Sequence, residues 1–138
     1  MQRLTVLFDP TCALCVRCRD WLSRQRAYVP MEFLPCDSPR ARARYGAVPW
    51  LGQELVVVAD TGEVWAGAAA FLVALWALRE YREWSYRLSA PALAPLAERF
   101  FHAISSRRHA LAALLVRDEC DSGVCRAPER HRARTAYR

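Results

Sequence analysis

The chain has 138 residues, 54% of them hydrophobic and 25% charged, enough for one domain with a real core and too apolar for a disordered segment. Its formal net charge is +6 with arginine as the only long basic side chain, and Arg126, Arg130, Arg132, Arg134 and Arg138 crowd the C-terminus beside one acid, Glu129. That excess reads as a solvated tail. An anion or nucleic-acid contact is the sharper alternative, but no recognition motif accompanies it.

Met1 to Phe8 carries one arginine and a short apolar run cut off by Asp9 and Pro10, unlike a secretory leader. The longest apolar stretch, Ala66 to Leu78, is short for a bilayer crossing. The expectation is a cytoplasmic chain without a membrane span. In a reducing compartment six cysteines point to redox or metal chemistry rather than to a disulfide framework.

In chain order, Leu4-Thr5-Val6-Leu7-Phe8 has the continuous apolar character of a buried strand, ended by Asp9-Pro10. A helix follows, with Thr11 as its expected N-cap and Leu14, Cys18, Trp21 and Leu22 on its buried stripe. Val29 to Leu34 is a second strand. Arg40 to Tyr45 makes one or two helical turns closed by Gly46. Glu54 to Ala59 and Val64 to Ala66 form a hairpin across Asp60-Thr61-Gly62-Glu63. From Ala68 the chain is apolar to Leu78 and charged only at Arg79, Glu80, Arg82 and Glu83, a helix largely buried over its first half. A last helix starts at Ser89-Ala90-Pro91 and runs toward Val116, with Ser105-Ser106 a candidate kink. The order strand–helix–strand, hairpin, helix predicts an α/β fold: a four-stranded mixed sheet with flanking helices and an extra C-terminal helix, the core order of thioredoxin-like folds. The expected organisation is one domain over 1–117 and a polar, cysteine-containing basic tail over 118–138.

Cys12-Ala13-Leu14-Cys15 lies where the first strand becomes the first helix. A cysteine at a helix start meets unpaired N–H groups and the positive end of the dipole, which lowers a thiol pKa from about 8.5 to ~3.5–7.5. Cys12 is therefore the candidate nucleophile and Cys15 the resolving thiol. The alternative is a zinc site completed by Cys120 and Cys125, on a domain that binds metal or a partner without catalysis. A phosphatase loop fails, because the position six after Cys12 is Cys18 and six after Cys15 is Trp21. Asp9 has two readings: a carboxylate relaying a proton at the dithiol, or one shaping the turn into the helix. Cys18 reads as a core residue. Cys36 follows the second strand and would reach the same edge as Cys12 if the strands are parallel; the bland reading is an incidental thiol. Cys120 and Cys125 bracket a turn-like segment and are candidate auxiliary thiols. No glycine-rich phosphate loop is present, and no cofactor is implied. Trp76, Tyr81 and Trp84 read either as core or as a partner-facing surface.

Asp9-Pro10-Thr11-Cys12-Ala13-Leu14-Cys15 after a Val-Leu-Phe strand resembles the D-x-x-C-x-x-C signature of the DCC family, thiol-disulfide oxidoreductases related to thioredoxin. The likeness continues through Val57 to Val64, Trp65 to Ala70, Phe100 to Arg108 and the closing cysteine pair, covering most of residues 3 to 126. The resemblance implies a thioredoxin-like fold and dithiol chemistry at Cys12 and Cys15 on protein or small-molecule thiols and disulfides. Thioredoxins also place a cis-proline directly before the hairpin strand. Here Gly52-Gln53-Glu54 occupy that stretch, and Pro49 is the nearest candidate for the substrate contact; an ordinary trans loop proline is the other reading.

Overall fold

A computed structural model of the protein describes residues 1–46, 54–108, 110–111 and 113–114. Four strands, β1 (Leu4–Phe8), β2 (Met31–Pro35), β3 (Val56–Ala59) and β4 (Val64–Ala66), form one mixed sheet in the order β2-β1-β3-β4. Strand β1 runs parallel to β2, with Leu4 opposite Met31 and Phe8 opposite Pro35, and antiparallel to β3, with Leu4 opposite Ala59. The hairpin pairs Val57 with Trp65. The helices are α1 (Ala13–Ser23), α2 (Pro39–Tyr45), α3 (Gly67–Ala77), α4 (Arg82–Ser89) and α5 (Ala94–Ser106). This is the predicted α/β architecture, consistent with a thioredoxin-like fold.

Every residue of β1 and β3 is buried, as a central strand covered on both faces requires. Leu4, Val6, Val57 and Ala59 point to one face and pack with Val29, Ala70 and Ala77. Leu7, Val56 and Val58 point to the other and pack with Leu34 and Ala41 of α2. Alternation along the strand thus divides one apolar run between two layers. Helix α1 is seated by Leu22, which joins Ala74, Leu75 and Leu78 in a third cluster.

Several boundaries differ from the sequence reading. Val29 lies outside β2, because its N–H and that of Tyr28 donate to the Ala77 carbonyl at the end of α3 instead of to a strand. Glu54 and Leu55 lie outside β3, since β1 offers partners only as far as Leu7 opposite Val56; the Leu55 carbonyl instead accepts the Gly67 N–H at 2.9 Å. Gly67 turns the chain from β4 into α3 at φ +62, where a Cβ would stand 3.1 Å from Glu54 Oε2. Both the backbone and the space there favour glycine.

The late helix expected from Ser89 toward Val116 begins instead at Ala94 and is interrupted at Arg107. Helix α4 precedes it and is tied to α3 by the buried Ser85, whose hydroxyl donates to the Leu72 carbonyl at 2.8 Å. A turn at Ala90 to Leu93 separates α4 from α5, with the Leu93 and Ala94 N–H groups both donating to the Ala90 carbonyl. Helix α5 packs on α3 through the rings of Phe101 and Phe71, 6.0 Å apart. It ends where a kink was expected: the Ser106 hydroxyl donates to the Ala103 carbonyl and Arg107 leaves helical geometry. Beyond this break the described residues 108, 110–111 and 113–114 are again helical, with the Leu111 N–H donating to the Arg107 carbonyl. Val116 and the tail over 118–138 lie outside the described residues. Among the described residues no helix is long and apolar enough to cross a membrane.

Leu22 is 3% exposed and is the one fully buried side chain of α1. Leu22→Ala is expected to cost about 2–4 kcal/mol of unfolding free energy, read by chemical denaturation of the reduced protein. A loss below about 1 kcal/mol would contradict this seating of α1.

Candidate active site

The site is built at the C-terminal edge of β1, where the strand stops at Phe8 and α1 begins five residues later. Cys12 is the N-cap of α1, with extended backbone at φ −98 and ψ 112. This corrects the expectation that Thr11 caps the helix. The Cys15 N–H donates to Cys12 Sγ at 3.4 Å, so the sulfur fills the place a serine or aspartate oxygen takes in an ordinary cap. The Cys12 carbonyl accepts the Val16 N–H at 3.0 Å, starting the helical ladder.

Thr11 is occupied elsewhere. Its N–H and hydroxyl donate to Asp9 Oδ1 at 2.9 and 2.6 Å, and the Cys12 N–H reaches back to the Asp9 carbonyl at 3.4 Å. The carboxylate therefore folds the strand-to-helix turn around itself, which is how aspartate shapes such turns. Its second oxygen, Oδ2, stands 3.4 Å from Nη2 of Arg108, and both side chains are largely buried, at 12% and 15% exposure. In the sequence Arg108 stands in a helical period and closes the stretch Phe100 to Arg108 that resembles the DCC family's late helix with its arginine. No local signal links it to Asp9, since the pairing exists only once α5 has docked on α3.

Cys12 has no solvent-exposed surface and Cys15 is half-buried. The Cys15 thiol is pushed up from 9.0 to about 12, first by burial, then by its hydrogen bond to Cys12 and the charges of Cys12 and Asp9, with Arg108 pulling the other way. Cys15 thus holds its proton at neutral pH. Cys36 lies just beyond β2, its N–H donating to the Phe8 carbonyl at 2.9 Å. It therefore reaches the same sheet edge as Cys12, as the parallel pairing of β1 and β2 requires. Burial raises its thiol, the charges of Asp9 and Asp37 add to this, and Arg108 again opposes.

Cys18 corrects the sequence reading, for it is exposed rather than part of the core. Leu22 is the buried residue of α1, and the Arg19 guanidinium stands 5.0 Å from the Phe8 ring centre. Trp21, also expected inside, is 37% exposed and meets the Tyr81 ring edge-on at 5.0 Å. Trp84 is exposed at 54%, whereas Trp76 lies beneath the Arg82 guanidinium at 4.5 Å. Pro49, Cys120 and Cys125 lie outside the described residues, so their candidate roles stand as sequence expectations. Among the described residues, no three His, Cys, Asp or Glu side chains are grouped to hold a metal ion.

A family model for DCC1-like thiol-disulfide oxidoreductases matches residues 6–114. The chain belongs to that family. No curated protein and no solved structure gives a match. The match to the DCC1-like family spans β1 through α5 and includes both cysteines at the start of α1, Asp9, Cys36 and Arg108.

The raised Cys15 thiol has a consequence for stability. The unfolded chain gives up this proton near pH 9, whereas the folded chain keeps it toward pH 12. The contribution to stability is therefore complete below about pH 9 and is lost as pH rises toward 12. Urea denaturation of the reduced protein from pH 8 upward is expected to show stability falling more steeply than in Cys15→Ser. Equal slopes for the two proteins would contradict the assignment.

Proposed function

We propose that this chain exchanges dithiol for disulfide, with Cys12 as the attacking sulfur, Cys15 as the resolving thiol and Asp9 as the carboxylate serving the proton of Cys15. The observation that carries the reading is the asymmetry of the pair. Cys12 Sγ sits at the N-terminus of α1 accepting a helical N–H, where negative charge is favoured. Cys15 is one turn on and holds its proton. One sulfur is placed to attack and the other to wait.

In the first step the Cys12 thiolate attacks one sulfur of a partner's disulfide, forming a mixed disulfide and releasing the other sulfur as a thiolate. Because Cys12 is enclosed, the partner's disulfide reaches it through a local opening of the site. In the second step Cys15 gives up its proton and attacks the Cys12 sulfur. The Cys12–Cys15 disulfide forms, the partner leaves as its second thiolate, and two electrons have passed from the dithiol to the partner. Run in reverse, the same steps oxidise a partner's dithiol. Asp9 is the carboxylate whose charge bears on Cys15, which supports assigning it the departing proton. Cys36, at the same edge, is the auxiliary thiol we place nearest this chemistry, outside the two-step cycle.

The test uses reduced protein and the chromogenic disulfide 5,5′-dithiobis(2-nitrobenzoate). Cys15→Ser is expected to stop after the first step and retain the reagent on Cys12, located by peptide mass mapping. Cys12→Ser is expected to slow adduct formation at position 15 by at least about 100-fold relative to Cys12 in Cys15→Ser. Adducts forming at Cys15 in Cys12→Ser as fast as at Cys12 in Cys15→Ser would reverse the assignment of roles.

A further inference from the structure

The ion pair between Asp9 and Arg108 joins the first strand's end to the far end of the helical layer, and it does so beside the dithiol. A largely buried carboxylate is an electrostatic burden there, because its charge opposes ionisation of the Cys15 and Cys36 thiols. Arg108 answers that charge from the opposite side. The α5 helix is anchored to α3 through Phe101 and Phe71, and the turn after α5 carries Arg108 to within 3.4 Å of Asp9 Oδ2. Oδ1 is meanwhile held by two donors from Thr11. Both oxygens are thus tied, one by the turn that presents Cys12 and one by the C-terminal helical region.

We propose that Arg108 is a positioning residue for the dithiol: it fixes the Asp9 carboxylate through Oδ2 and offsets its negative charge where the resolving thiol must release a proton. Among the described residues, the charged and titratable groups that bear on this point come from several elements around it. Asp9 comes from the end of β1, Cys12 and Cys15 from the start of α1, and Cys36 and Asp37 from the end of β2. Arg19 of α1 stands over Phe8, and Cys18 faces outward. Arg108 is the cation whose charge acts on both Cys15 and Cys36, in each case against Asp9. Arg108 touches the carboxylate and reaches the reaction only through it and through its own field. A fixed guanidinium serves this purpose because it stays charged throughout the pH range in which thiols titrate.

This inference rests on the roles assigned above to Cys15 and Asp9, but its test needs no disulfide exchange. In the reduced full-length chain, the initial rate of Cys15 alkylation by iodoacetamide at pH 8.5 is followed by peptide mass mapping. The rate tracks the thiolate fraction. Arg108→Gln is expected to slow it about tenfold, Arg108→Lys to recover most of that loss, and Asp9→Asn to speed it. A purely structural Arg108 gives the opposite sign, because loosening the site uncovers the thiol and quickens alkylation. An unchanged or faster rate in Arg108→Gln overturns the proposal, as does a loss that lysine fails to recover. If Arg108→Gln leaves the buried carboxylate too poorly compensated to fold, Asp9→Asn/Arg108→Gln is compared with Asp9→Asn. Slower alkylation in the double variant supports the proposal, and an equal or faster rate overturns it. A chain that passes this test yet forms no Cys12–Cys15 disulfide would refute the exchange function and leave the placement of Arg108 standing.

Discussion

The sulfur of Cys12 takes the hydrogen bond that begins a helix. At most helix starts an oxygen accepts the exposed N–H two or three residues on. Here a thiol does so, with the Cys15 N–H pointing at Cys12 Sγ from 3.4 Å. The same contact starts α1, fixes the distance between the two cysteines and places one sulfur at the positive end of the peptide dipoles. Structure and chemistry at this point are one interaction, so a substitution at Cys12 changes both.

The remaining fold serves to hold that contact at the edge of the sheet. Strand β1 is buried on both faces between β2 and β3, so its end is a fixed point. Asp9 closes the turn onto Thr11, and Leu22 seats the far end of α1 on α3. Helix α3 then supports α4 through Ser85 and α5 through Phe71, and the turn beyond α5 returns Arg108 to Asp9. Residues at the two ends of the domain thereby meet at the dithiol. The arrangement makes the C-terminal helices part of the site's electrostatics.

Much of this was legible in the sequence because local patterns carried it. The apolar run of Leu4 to Phe8, the turn residues Asp60 to Glu63 and the position of the C-x-x-C at a strand-to-helix junction each follow a short-range rule, and the structure has all three in place. Long-range competition accounts for the misreadings. Val29 looks like strand, but its N–H is taken by the end of α3. Thr11 looks like a cap, but its hydroxyl is claimed by Asp9. Cys18 fits a helical period with Leu22 and Trp21, yet of the three only Leu22 is buried. The sequence reading gives Arg82 to Ser89 no helix of its own; its buried Ser85 and the cover given to Trp76 by Arg82 and Tyr86 are tertiary. The contact of Arg108 with Asp9 is likewise tertiary; the sequence marks Arg108 by its helical period and by the family-like stretch Phe100 to Arg108, without its partner.

The central claim is that Cys12 and Cys15 form a reversible two-electron couple. The most direct measurement is a redox titration of the full chain against dithiothreitol buffers of graded ratio, with each poised sample acid-quenched, alkylated and mapped by mass spectrometry. The account predicts one transition between a free pair and an intramolecular Cys12–Cys15 disulfide, reversible from both directions and retained in Cys36→Ser. No disulfide between these two residues at any poise, or one that forms only between chains, would contradict it.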